Sequence, residues 1–132
     1  MNEEFAHKVL IVDDEPHIRA FLRLVVGELG ALEVREAGDG PNALLMYKHF
    51  EPNLVLLDVN LPGDDGLAIL GQLRKLDPQA RVVMMTAVAS REMVEKCIAG
   101  GVLNYIRKDS PRALLLQLLR ETWAAATAKP AA

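Results

Sequence analysis

One cysteine, Cys97, stands among the 132 residues, so no disulfide can close within the chain. None is needed, because a domain of this length buries roughly two-thirds of its unfolded surface. A lone thiol also fits a reducing compartment. A basic excess is missing as well. Lys and Arg number 15 against 18 Asp and Glu, a net charge of -3. That balance offers no positive field for nucleic acid or acidic lipid. No apolar run approaches the roughly 18–20 residues that cross a bilayer. Met1–His7 is polar and acidic where a signal peptide would carry an apolar core. Internal repeats and interdomain linkers are absent too. The expectation is a cytoplasmic protein with one domain over residues 8–126, an N-terminal tail at 1–7 and a flexible C-terminal tail at 127–132. It should bind neither nucleic acid directly nor membrane.

What is present is an ordinary soluble composition, 51% hydrophobic and 25% charged, arranged in a rhythm. Lys8–Val12 (KVLIV), Leu54–Leu57 (LVLL) and Val82–Met85 (VVMM) read as strands buried on both faces. Leu32–Glu36 alternates like an edge strand, and Leu103–Ile106 supplies a fifth. Helical spacing follows each strand. Ile18, Phe21, Leu22, Val25 and Leu29 recur after Pro16, and Gly30 is a stop. Asn42–Phe50, Leu67–Leu76 and Arg91–Ala99 read as helices, and Pro62–Gly66 reads as a loop. Ser110-Pro111 is a cap and first-turn signal for a last helix reaching about Ala126. Strands alternating with helices imply right-handed crossovers and a parallel α/β sheet covered on both faces. The chain is too short for an eight-fold barrel, which leaves an open doubly wound sheet.

Ligands of such sheets bind beyond the carboxyl ends of the strands. Those ends carry Asp13 and Asp14, Asp58, Thr86 and Lys108. Each has a structural explanation alone. The paired acids can start a helix, Asp58 can end a strand, Thr86 is an ordinary strand residue, and Lys108 can be a solvated loop lysine. Together they converge from segments far apart in sequence. Three clustered carboxylates repel one another, and a hard cation such as Mg2+ removes that conflict while leaving room for phosphate oxygens. A carboxylate can accept a phosphoryl group covalently. An ammonium and a hydroxyl can then hold charge on the transferred oxygens.

The runs VLIVDDEP (Val9–Pro16), LVLLDVNLPGDDG (Leu54–Gly66), MMTA (Met84–Ala87) and NYIRK (Asn104–Lys108) resemble the receiver domains of two-component response regulators, in length the single-domain chemotaxis type. Such domains are standing examples of the switch-point rule, so that rule is not independent support. The resemblance covers about Lys8 to Trp123. It implies a flavodoxin-like five-stranded sheet of order 2-1-3-4-5 with five helices. It implies that Asp58 is phosphorylated by a histidine kinase or phosphotransfer protein, and that the protein is no enzyme beyond its own phosphorylation and dephosphorylation. Mg2+ would be held by the side chains of Asp14 and Asp58 and the backbone carbonyl of Asn60, with Asp13 acting through water. Thr86 would move toward the phosphoryl group and Tyr105 would rotate inward, reshaping the face of helix 4, strand 5 and helix 5. The alternative for Tyr105 is a half-buried strand aromatic.

One departure stands out. The family usually has Pro after the lysine, and here Asp109 follows Lys108. A cis non-proline bond costs roughly 3 kcal/mol, so a trans bond is expected, with Asp109 free to pair with Lys108. The last helix is also unusually apolar. Leu114, Leu115, Leu116, Leu118, Leu119 and Trp123 exceed one stripe, which reads either as deep packing or as a surface for a homodimer or effector protein. Other readings fit less well. Aspartate-nucleophile phosphatases have Asp-x-Asp where this chain has Asp58-x-Asn60. A flavin binder lacks its hydroxyl-rich phosphate loop here. An EF-hand fails at Pro62 and Ile69. A phosphorylation-independent interaction module, or the receiver of a longer regulator with an output domain, stays open.

Overall fold

A computed structural model describes residues 5–61, 63–87 and 90–128. The outer parts of both tails, and Pro62 in the expected loop, lie outside the described residues. Among the described residues, seven strands and five helices follow in order. They are β1 (Lys8–Val12), α1 (Pro16–Leu29), β2 (Glu33–Ala37), α2 (Gly40–Phe50), β3 (Leu54–Asp58), β4 (Asn60–Leu61), β5 (Asp64–Asp65), α3 (Gly66–Leu76), β6 (Val82–Thr86), α4 (Arg91–Ala99), β7 (Asn104–Arg107) and α5 (Arg112–Thr127). The five long strands form one sheet in the order β2-β1-β3-β6-β7, with every neighbouring pair parallel. Counting only the long strands, this is the expected 2-1-3-4-5. Within the expected loop, Asp64–Asp65 instead forms β5 and pairs antiparallel with β4, which immediately precedes that loop. This ribbon is too short for a period-2 pattern to mark it in the sequence.

Strand alternation sends neighbouring residues to opposite faces. Leu10, Val12, Val55, Leu57, Val82 and Met84 face α2, α3 and α4, where Tyr47, Leu73 and Cys97 are buried. Val9, Ile11, Leu54, Leu56, Val83 and Met85 face α1 and α5, meeting Leu22, Val25, Val26, Leu115 and Leu119. This two-sided burial is why the central strands read as continuous apolar runs. β2 lies at an edge and is half open, as its alternation indicated.

Helix starts follow local chemistry. Asp39 accepts from the Asn42 amide, Asp65 from Leu67 and Ser90 from Met93. Gly30 closes α1 with φ at 121°, a region that disfavours side chains. The start of α5 differs from the sequence expectation. Ser110 does not cap it, because its hydroxyl donates to the Arg107 carbonyl at 2.8 Å. The helix begins at Arg112 without a side-chain cap. Most of the apolar excess of α5 packs inward. Leu115 and Leu119 are fully buried, and Leu116, Leu118 and Trp123 pack against the same cluster. Trp123 also meets Phe5 at 5.8 Å and carries the Arg81 guanidinium on its ring. Leu114 remains 41% exposed. Among the described residues, no helix is long and apolar enough to cross a membrane.

We predict that Leu115→Ala costs about 2–5 kcal/mol in urea unfolding, the usual penalty for a buried leucine. Leu114→Ala should change stability by no more than about 0.5 kcal/mol. Equal losses would mean that α5 packs differently.

Candidate functional site

Parallel register builds the site. Val12 pairs with Leu57, so Asp13 leaves β1 beside Asp58 at the end of β3. Asp58 pairs with Met85, and Thr86 pairs with Arg107, so Thr86 and Lys108 reach the same sheet edge. Backbone bonds across the strand ends hold this edge. Asp13 N donates to Ala37 O at 3.0 Å, Val59 N to Met85 O at 2.9 Å and Lys108 N to Thr86 O at 2.7 Å.

The polar groups here are buried to an unusual degree. Asp13 is 1% exposed, Asp58 3% and Thr86 0%. Lys108 Nζ lies 2.7 Å from Asp13 Oδ2, 3.2 Å from Asp58 Oδ2 and 3.3 Å from Glu15 Oε2. Asp13 Oδ1 accepts from the Glu15 amide at 2.8 Å, and Asp58 Oδ1 from the Asn60 amide at 3.0 Å. Burial pushes the Asp58 carboxyl above its usual range and Asp13 adds to this, while the Asn60 amide and Lys108 act against it. Burial alone would lower the pKa of Lys108, yet Asp13 and Asp58 hold its ammonium well above the usual lysine range.

The residues present fit a divalent cation. One oxygen from each of Asp13, Asp14 and Asp58 lies within 4.8 Å of the others. Asp13 Oδ2 is buried and faces the Lys108 ammonium at 2.7 Å. A hard oxygen-seeking ion suits this set of carboxylate oxygens.

The structure brings Asp13, Asp14, Asp58 and Lys108 together, with Thr86 at the same edge. Asn60 is exposed in the ribbon, its amide on Asp58. Tyr105 is half-buried in β7, packed against the core under α4. The Lys108–Asp109 bond is trans, as expected. Asp109 does not pair with Lys108, however. Its carboxylate takes two bonds from Arg107, at 3.0 and 2.9 Å, and Arg107 also reaches the Ala87 carbonyl at 3.4 Å. Lys108 points instead into the buried acids, which offer more charge than an exposed neighbour.

Three contributors were not read from the sequence. Glu15 pairs with Lys108 across 93 residues. Arg19 donates to the Asp13 carbonyl at 2.7 Å and to Glu36 at 2.9 Å, bracing the Asp13 backbone against β2. Gly66 is a close approach, since an added Cβ would stand 2.5 Å from Val59 O and 2.7 Å from Asp58 O. Glu15 and Gly66 lie within the runs that carried the resemblance, but their partners, and those of Arg19, are set by elements distant in sequence.

Comparison with known proteins agrees with this geometry. The model of the response regulator receiver domain matches residues 9–120. The chain is 32% identical over 117 residues to a chemotaxis protein CheY of Bacillus subtilis, covering 89% of this chain and 98% of that one. It is 36% identical to the transcriptional activator protein ExaE of Pseudomonas putida, covering 88% of this chain and 55% of ExaE. The crystal structure of a CheX–CheY–BeF3–Mg2+ complex from Borrelia burgdorferi superposes with a TM-score of 0.83 at 31% identity, covering 95% of this chain and 92% of that one.

Burial disfavours the charged form of Asp58, so its ionisation opposes folding. Its raised pKa means that stability is lost as pH rises from about 4 through the folded pKa. We predict that Asp58→Asn melts higher than wild type at pH 7 in chelator, and that the gap closes as pH falls below about 4. A variant melting lower at pH 7 would contradict this.

Proposed function

The chain belongs to the response regulator receiver domain family, and on that premise we propose that it is a Mg2+-dependent switch in which Asp58 accepts a phosphoryl group. The observation that carries this reading is the buried pair of Asp58 and Lys108, 3.2 Å apart and flanked by Asp13. Buried acids held beside a cation need a purpose other than stability, because such pairs add little to it.

Asp13, Asp14 and Asp58 would hold the ion, with the Asn60 carbonyl as a further ligand and Asp13 acting through water. Mg2+, when bound, would offset the clustered negative charge and hold phosphoryl oxygens. An oxygen of Asp58 attacks phosphorus, and the P–N bond of a donor phosphohistidine breaks in line, its electron pair leaving with the imidazole. Lys108 exchanges one carboxylate partner for a phosphoryl oxygen, and the Thr86 hydroxyl donates to another. The movement of Thr86 and an inward turn of Tyr105 then reshape the face of α4, β7 and α5. A histidine kinase or phosphotransfer protein in the cytoplasm would be the donor. An effector protein, or a second copy of the chain, would read the changed face. Apart from its own phosphorylation and dephosphorylation the chain would catalyse nothing.

A second reading rests on ExaE, of which this chain spans 55%. The same receiver would then control an output domain, with unchanged chemistry at Asp58.

The test is intact-mass spectrometry after incubation with Mg2+ and acetyl phosphate. We expect one phosphoryl adduct, absent in Asp58→Asn and absent when the metal is chelated. No adduct on folded, Mg2+-binding protein would favour a phosphorylation-independent interaction module. Asp109 gives a second prediction. Asp109→Pro removes the Arg107–Asp109 pair that ties the lysine loop to Ala87. It should alter the labelling rate or the adduct lifetime, and no change in either would remove Asp109 from the account.

A further inference from the structure

Glu15 is an acid that the metal cluster does not use. Among the described residues that cluster comprises Asp13, Asp14 and Asp58. Glu15 is the N-cap of α1, yet its side chain makes no cap hydrogen bond. It turns toward the site, placing Oε2 at 3.3 Å from Lys108 Nζ with its side chain 47% exposed. Lys108 therefore carries two buried acids on its inner side and one solvent-facing acid on its outer side. Of the three acids paired with Lys108, Glu15 is the one open to solvent, at 47% exposure against 1% for Asp13 and 4% for Asp58.

We propose that Glu15 is a specificity-determining residue, which disfavours phosphorylation by small, free anionic phosphodonors by occupying the outer side of Lys108. The proposal rests on the phosphoacceptor reading above. Its physical basis is like-charge repulsion at a shared counter-ion. A phosphoryl oxygen drawn to Lys108 lies within about 6 Å of the Glu15 carboxylate, well inside the screening length of roughly 30 Å at ~0.01 M salt. A protein donor can offset this charge with a cation of its own beside the phosphohistidine, and a free donor cannot. Glu15 would then discriminate by repulsion rather than by added attraction.

A plainer role is also available, since an acid near a helix N-terminus favours the helix dipole. The two roles separate experimentally. Labelling of the full chain by acetyl phosphate with Mg2+ would be timed by intact mass for wild type, Glu15→Gln and Glu33→Gln. Glu33 is exposed at the opposite edge of the sheet and controls for net charge. We expect Glu15→Gln to label on the order of threefold to tenfold faster at ~0.01 M salt. The gain should shrink toward unity near 1 M salt, where the screening length is about 3 Å. Glu33→Gln should follow wild type, and the melting temperature of Glu15→Gln should stay near that of wild type. Equal labelling of Glu15→Gln and wild type at low salt, with a lowered melting temperature or not, would overturn the proposal. So would a gain that salt leaves unchanged, or one that Glu33→Gln shares. Wild type that takes no label at all would overturn the phosphoacceptor reading itself, and this inference with it.

Discussion

The ammonium of Lys108 stands within 3.3 Å of Asp13, Glu15 and Asp58, and it is the only cation among the described residues to pair with either buried acid. Removing two carboxylates from water costs several kcal/mol each unless a partner compensates. Lys108 supplies part of that compensation, but one ammonium cannot balance three acids. The shortfall is visible at Asp58, which burial and the nearby Asp13 push toward protonation. A site left under-compensated in this way is prepared for further positive charge, and for any group that changes the partners of the lysine.

That tension is tolerated because the scaffold around it is over-determined. The central strands β1, β3 and β6 are buried on both faces and are held in parallel register with one another. Backbone bonds lock the strand ends. Gly66 brings the start of α3 against the Asp58–Val59 backbone, where a side chain would collide. A fixed frame of this kind would direct the proposed change at Asp58 to the exposed loops and the half-buried Tyr105 rather than to the core.

The Asp109 position shows how a local substitution is absorbed. Proline there would have removed an amide and restricted the loop. The carboxylate instead forms a local fork with Arg107, which extends to Ala87 after the end of β6. Lys108 is left to the buried acids, so the departure falls on the loop beside the site and not on its charges.

The five long strands, the two-faced burial of the central three and the residues at the strands' carboxyl ends were legible in the sequence. Runs such as KVLIV and LVLL can be satisfied only inside a covered parallel sheet, and side-chain period alone then decides which residues face which layer. The Leu-rich last helix was legible as apolar but not as packed, because one strand of text does not show that α1 and the sheet together cover most of it. The partners of Glu15, Arg19 and Asp109 were also beyond reach. Whether Lys108 meets a neighbour or an acid 93 residues away depends on competing charges in three dimensions and on how deeply each is buried. Local propensity and periodicity act over a few residues and so are written in the chain. Charge pairing and close backbone approach act between elements, and only the tertiary structure decided them.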